Sequence, residues 1–535
     1  MSETSENVKK IVEPPCFGRQ KYYTAYKPED ITKENVVEIV KKYFNDFIFE
    51  IDTLLFLDKY FRGQQPILQK TRDDEDAGNN KVVVNLARTA TNKIKQAFVG
   101  EETQYLPIDI TNTLQKKALK DLLVYYRSIE EPAHNARIEG DRGKYGYAYE
   151  FVGRKDGHIK IKRLKPFYTC AVFNEDDEDD MVFVFNFHKK YDTENKHSGY
   201  HFSVYTKTKI FEYDTNVSIG LDSSIIETPN TIGIIPIVRY ENNDELMGDF
   251  EPAIPVLNGI NEVYSKRLDN ISDIVEALLV FVNSSIYEEK EDENGNITYD
   301  NKKIKAMQKN RVVELHGEQG LPADIKHIVN TLDQSNTQIV CDNLARLAYV
   351  IMGVPDGVNA KTSGGGDTGE AANTREGYKD FQQLLNDKER LFKKGLKERI
   401  EIIRRLSLFD NDNQLRFIQK EEIDIRFIRQ KSLNDQSEAQ ALATLNETGL
   451  FSKDTILTQS NLCESPQEEI DKVINTYKKL LKDKVLTQEQ YNKAVASYYL
   501  PKDVVSAIFT NTTDKENNEG EDDGKDDKQL QSQES

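Results

Sequence analysis

This sequence predicts an α+β, mainly α protein of two to four packed units. Three features point there. Apolar residues recur every three or four positions over long stretches near 36–61 and 374–407, which is helical spacing. A block of short β-rich runs fills about 145–240. The chain has 535 residues, 38% of them hydrophobic, too many for one compact domain and apolar enough for real cores.

The first region, about 31–128, reads as helical. Val36, Ile39, Val40, Tyr43, Phe44, Phe47, Ile51 and Leu54 hold the helical spacing, and Gly63 and Pro66 stop it. A polar loop, 73–80, precedes a second helix with Leu86, Ile94 and Phe98, ended by Gly100. Strand-like runs follow at Tyr147-Ala-Tyr-Glu-Phe-Val, Met181-Val-Phe-Val-Phe and Phe202-Ser-Val-Tyr. The acidic run Glu175–Asp180 between two of them is expected as a solvated hairpin tip rather than a cation site.

A long helix is expected from about 249, regular from Val256 because Pro255 sits uneasily in it. Tyr264, Leu268, Ile271, Val275 and Leu278 step by 4, 3, 4 and 3 and are expected to be its buried stripe. Glu262, Asp269, Asp273 and Glu276 form an acidic stripe beside it. Then come an apolar run to Val282, a polar hairpin at 288–301 turning at Asn294-Gly295, a strand candidate at 311–315 and a helix at about 331–352. Gly353-Val-Pro355 ends that helix, and a loop rich in glycine and small polar residues follows. The longest helical pattern covers about 374–407, a strand candidate 423–427, and a helical unit 434–508. Residues 511–535 carry nine acids and three lysines with almost no apolar side chain, the composition of disorder.

Composition excludes several chemistries. At a net charge of −19 the chain lacks the lysine and arginine density that wraps nucleic acid. Cys16, Cys170, Cys341 and Cys463 form no CxxC pair and read as reduced thiols of a cytosolic protein. The seven histidines make no zinc motif, so no metal and no cofactor are expected. The N-terminus lacks the order of a signal peptide and no run is long enough to span a bilayer, which predicts a soluble chain with no membrane contact. Lys361-Thr362 lies in a glycine-rich loop, yet Ala360 and Pro355 stand where a phosphate-binding loop needs glycine, and no GxSxG is present. No catalytic residue is therefore assigned. Two readings stay open on composition alone: a metal-dependent nuclease, and an acidic scaffold that never meets DNA.

Several segments resemble portal proteins of the SPP1-like bacteriophage family. They are Tyr60-Phe-Arg-Gly-Gln-Gln-Pro-Ile-Leu68, Asn79-Asn-Lys-Val-Val-Val-Asn-Leu86 leading to Phe98-Val-Gly100, and Ile235–Phe250, which joins the β region to the long helix. Gly353-Val-Pro-Asp356 and Lys388-Glu-Arg-Leu-Phe-Lys-Lys-Gly-Leu396 follow in the same order, so the likeness covers about 40–430. The resemblance implies a portal fold: a wing (1–248), stem helices (249–277 and 331–353) flanking a small α/β clip (278–330), and a tunnel loop (354–373). A long tunnel helix (374–407), a wing return strand (408–433), a helical crown (434–508) and an acidic tail (509–535) complete it. It further implies a homo-oligomeric ring, usually a dodecamer, at the portal vertex of the virion capsid, assembled in the host cytoplasm. Double-stranded DNA would pass through it without sequence specificity during packaging and ejection. The partners implied are the terminase large subunit, a head–tail adaptor, and the major capsid and scaffold proteins.

On that resemblance, Asn359, Lys361, Thr362, Ser363, Gly364, Gly365, Gly366, Asp367 and Thr368 would form the DNA-tunnel loop. Tyr287, Glu288, Glu289, Asn294, Gly295 and Tyr299 would dock adaptor or terminase. The acidic stripe Glu262, Asp269, Asp273 and Glu276, repeated around a ring, would repel the duplex and let it slide, since each neutralised phosphate adds a salt-sensitive hold.

Overall fold

The computed structural model describes residues 18–71, 78–108, 112–155, 157–275, 278–282, 288–291, 297–300, 324–328, 334–355, 378–409, 413–429, 435–448, 451–459, 466–501, 504–506 and 508. The chain divides into two compact units. One comprises 1–93, 140–151 and 162–360, the other 94–139, 152–161 and 361–535.

The chain opens with β1 (Tyr22–Thr24), α1 (Val36–Phe61), α2 (Leu86–Val99), β2 (Thr103–Pro107), α3 (Thr113–Ser128) and α4 (Glu131–Tyr145). The β region holds β3 (Tyr147–Lys155), β4 (His158–Leu164), β5 (Thr169–Asn174), β6 (Met181–Tyr191), β7 (His197–Thr206), β8 (Lys209–Asn216), β9 (Ile226–Pro229) and β10 (Ile237–Glu241). Then come α5 (Ile254–Val275), β11 (Leu278–Val282), β12 (Glu288–Glu291), β13 (Ile297–Asp300), β14 (Asp324–Ile328) and α6 (Gln334–Ile351). The last elements are α7 (Tyr378–Ser407), β15 (Ile423–Phe427), α8 (Asp435–Thr448), α9 (Lys453–Gln459), α10 (Pro466–Lys482) and α11 (Gln488–Tyr499). The result is a mixed α+β fold dominated by helix.

In the first unit the core lies between α1 and a six-stranded sheet ordered β1-β5-β6-β7-β8-β9. The sheet is antiparallel except where β1 runs parallel to β5. Tyr43, Phe44 and Phe47 on one face of α1 meet Phe183, Phe187, Phe202 and Phe185 edge to face, with ring centroids 4.9–6.2 Å apart. Such contacts add to simple area burial. α1 stops because Gly63 takes φ +93°, letting its N–H reach Tyr60 O (3.0 Å) while Gln64 N–H reaches Lys59 O (2.9 Å). α6 ends the same way: Gly353 at φ +64° donates to Val350 O and Val354 to Tyr349 O.

In the second unit β2 pairs antiparallel with β15, and Phe98, Phe392 and Phe427 stack in one cluster. α7 spans 30 residues, about 45 Å. It buries Phe392, Leu396, Ile400 and Ile403 along one face.

Four expectations change. The first region is not all helix, since β2 interrupts it; its partner strand lies more than 300 residues away, beyond the reach of local pattern. α5 is regular from Ile254, not Val256. Pro255 falls in the first turn, whose N–H groups have no intrahelical acceptor, so the missing donor costs little. β14 pairs with β11, Leu278 opposite Ile328, and was not foreseen. The strand candidate at 311–315 lies outside the described residues. The fourth change, in the faces of α5, belongs to the site.

Candidate functional site

The joint between the β region and α5 is tightly built. Arg19 forks onto Glu251 with both terminal nitrogens (2.7 and 2.8 Å), and its Nε and Nη2 donate to Tyr145 O. Gly18 and Gly248 N–H groups complete the Glu251 carboxylate at 2.9 and 2.8 Å. Both charged side chains are at most 3% exposed, so this fork fixes where α5 begins. Gly248 must be glycine for a steric reason: a Cβ there would stand 2.6 Å from Lys144 O.

α5 and α6 run antiparallel. Arg267 Nη1 donates to Gln338 Oε1 (2.6 Å), and three residues back Tyr264 meets Cys341. Burial first, then Cys341, raises the Tyr264 phenol above its usual range. Cys341 and Cys170 are buried free thiols.

The inner face of α5 is polar. Asn258 accepts from Tyr60 OH (2.9 Å), Asn261 from Val84 N–H (2.7 Å), Ser265 Oγ from Val82 N–H (2.9 Å), and Asp269 from Asn80 N–H (2.6 Å). Lys70 Nζ lies 2.5 Å from the other Asp269 oxygen, and Gln65 bonds with Asn261. Alternate amides of an extended strap, 80, 82 and 84, thus climb side chains spaced four apart on a helix. The pitches match: two extended residues rise about 6.6 Å and four helical residues about 6 Å. Asn261, Ser265 and Asp269 are each 0% exposed. Burial alone would raise the Asp269 carboxyl, but the Lys70 ammonium and the Asn80 amides outweigh it and hold it below the usual carboxylate range.

This overturns two expectations about α5. Asp269 does not offer a charge to the surface, because Lys70 and Asn80 claim it. Leu268 and Ile271, expected inside, are 43% and 40% exposed. α6 also exposes apolar side chains, Ile339, Val340, Leu347, Val350 and Ile351, with Val350 at 65%. Glu262 is exposed as expected, but Lys266 pairs with it at 2.6 Å and holds its carboxyl low.

Of Asp273, Glu288, Glu289 and Tyr299 only the backbone is described, on α5, β12 and β13; β12 and β13 do form a hairpin, Glu289 opposite Tyr299. Glu276, Tyr287, Asn294, Gly295 and the loop residues Asn359, Lys361, Thr362, Ser363, Gly364, Gly365, Gly366, Asp367 and Thr368 lie outside the described residues. Among the described residues no three His, Cys, Asp or Glu side chains stand together as metal ligands, and no helix is long and apolar enough to cross a membrane. Sequence reasoning missed Arg19, Lys70, Asn261 and Ser265. The visible signal was an Asn-Ser-Asp series at i, i+4 and i+8 beside an apolar stripe.

Residues 40–499 match the family model for phage portal proteins of the SPP1 Gp6-like type. The chain belongs to that family. A portal protein of Bacillus phage SPP1 is 21% identical over 490 residues, 88% of each chain. A chain from the neck of an empty GTA particle computed with C6 symmetry is also similar, at 11% identity and a TM-score of 0.36, over 68% of this portal chain and 86% of the other. That last likeness is too slight to carry an argument about the fold.

Proposed function

We propose that this portal protein is one subunit of a closed ring at a capsid vertex of a tailed phage, a non-enzymatic conduit for packaging and ejecting double-stranded DNA. The observation that carries the reading is the outward apolar face of α5 and α6. A soluble chain rarely leaves so many large aliphatic side chains exposed on adjoining helices, and such a patch marks an interface. Membership of a portal family supports a second copy of the same chain as the occupant. In a ring each copy would present this face to the next, a head-to-tail contact that closes when the rotation allows.

The remaining assignments rest on the family. The β12–β13 hairpin is the proposed dock for terminase and adaptor, with Tyr287, Asn294 and Gly295 as candidates from the sequence alone. Asn359–Thr368 is the proposed tunnel loop. For the channel wall Glu262, Asp273 and Glu276 remain candidates, and Asp269 is withdrawn.

The test is the mass and image of the purified full chain. Wild type is expected as rings with a central hole, and Leu347→Glu with Val350→Glu as smaller species that keep the helical content. Rings from the double variant equal to wild type in mass and yield would refute the interface. A wild-type chain that stays monomeric would refute the conduit.

A further inference from the structure

α5 carries two stripes that compete for the interior. One is apolar, Tyr264, Leu268 and Ile271; the other is polar, Asn258, Asn261, Ser265 and Asp269. At 3.6 residues per turn their centres lie roughly 100° apart. Ordinary amphipathic packing turns the apolar stripe inward. Here the polar stripe is inside, and it is inside because every one of its members accepts a hydrogen bond from a group on α1 or on the segment that follows it.

We propose that the strap Asn80–Val84 sets the rotation of α5, and that Asn261, Ser265 and Asp269 are positioning residues that keep the Leu268–Ile271 stripe outward for a second copy of this chain. The proposal rests on the ring reading above. Its physical basis is a trade between two burials. Strap amides sealed against a helix must find acceptors, and α5 supplies one for each alternate amide. The Asp269 rung is charge-assisted through Lys70, which makes it the strongest. Without the rungs nothing favours burying three polar side chains over two aliphatic ones. α5 would then turn its apolar stripe inward and withdraw Leu268 and Ile271 from the surface offered to a neighbour. The strap is thereby a selector of which face the helix shows, and the interface depends on residues that never touch the neighbour.

The test uses the full chain and two readouts. Ser265→Ala combined with Asn261→Leu removes two acceptors, while Ser265→Thr keeps the hydroxyl. Val82→Pro removes a strap donor and leaves the α5 sequence untouched, so it remains informative if the double variant fails to fold. In wild type, hydrogen exchange should be slow at Asn80, Val82 and Val84 and fast at Lys81 and Val83. In the double variant exchange at Val82 and Val84 should rise roughly tenfold. Both disruptive variants should give fewer rings, or rings of altered subunit number by native mass spectrometry, and Ser265→Thr should match wild type in both readouts. Faster exchange with wild-type rings would overturn the proposal while leaving the ring reading standing. Exchange without the alternating pattern would overturn the ladder itself. Wild-type monomers would remove the ring reading and this role of the strap with it.

Discussion

Replacing Arg399 by methionine should destabilise the second unit by about 3 kcal/mol, the low end of the 3–5 kcal/mol expected when one partner of a buried ion pair is removed. Arg399 is fully buried on α7, with Nη1 3.1 Å from Glu131 Oε1 and Nη2 donating to Asn135 Oδ1 at 2.9 Å. Glu131 is 3% exposed. After the substitution its carboxylate keeps Tyr105 OH at 2.7 Å and the Asn135 amide, which is why the low end applies. Glu131→Gln with Arg399→Met removes the stranded charge as well, so the double variant should recover roughly half of the loss, a coupling within the range of neighbouring groups. The readout is hydrogen exchange at Leu396–Ile403, which reports this unit even if the chain does not unfold in two states; about a hundredfold faster exchange corresponds to 3 kcal/mol. A cost under 1 kcal/mol for the single variant, or a double variant as unstable as the sum of its parts, would refute the reasoning.

Two further outcomes are expected. Glu401 is held down to about 2, chiefly by hydrogen bonds from Arg404, with Arg405 adding to them against the opposing effect of burial. Its folded value lies below the unfolded one, so its contribution to stability is full above about pH 4.5 and is lost as pH falls toward 2. Carboxyl NMR should find its midpoint near 2, and Arg404→Ala with Arg405→Ala should return it to the ordinary carboxylate range; an unchanged midpoint would show the arginines are not the cause. Deleting 363–366 from the proposed tunnel loop should alter the length or yield of packaged DNA while leaving ring assembly intact, and unaltered packaging by intact rings would count against that loop.

How much the sequence reveals depends on the range of the interaction. Gly63 and Gly353 end α1 and α6 through bonds that close within five residues, so both ends are readable locally. The aromatic face of α1 is likewise local: 43, 44 and 47 share a face whatever they pack on. β2 is a different case. Thr103-Gln-Tyr-Leu-Pro is a short run that ends in proline, and it becomes a strand because Ile423–Phe427 lies alongside. The pairs Arg399–Glu131 and Lys388–Glu139 are hidden for another reason, since one buried acid looks like any other in a chain with 91 of them. The faces of α5 misled most. Periodicity located the apolar stripe but not the polar one beside it, because which face turns inward is decided by the strap, and on the ring reading the exposed face of one copy need not be an exposed face of the assembly.

That inversion also changes the electrostatics of the proposed channel. A repulsive wall was expected from Glu262, Asp269, Asp273 and Glu276, yet Asp269 is spent on Lys70 and Glu262 on Lys266. Over Ile254–Val275 the charges are Glu262, Asp269 and Asp273 against Lys266 and Arg267, three acids less two bases, a net of −1. Over Gln334–Ile351 Asp342 and Arg346 cancel. The helix pair is therefore nearly neutral, and much of the −19 lies elsewhere, with 511–535 alone contributing nine acids less three lysines, −6. At physiological salt fields decay over about 8 Å, so distant acids do not make up the difference. On the conduit reading a duplex slides past these helices because few cations are there to hold its phosphates, rather than because many anions push it away.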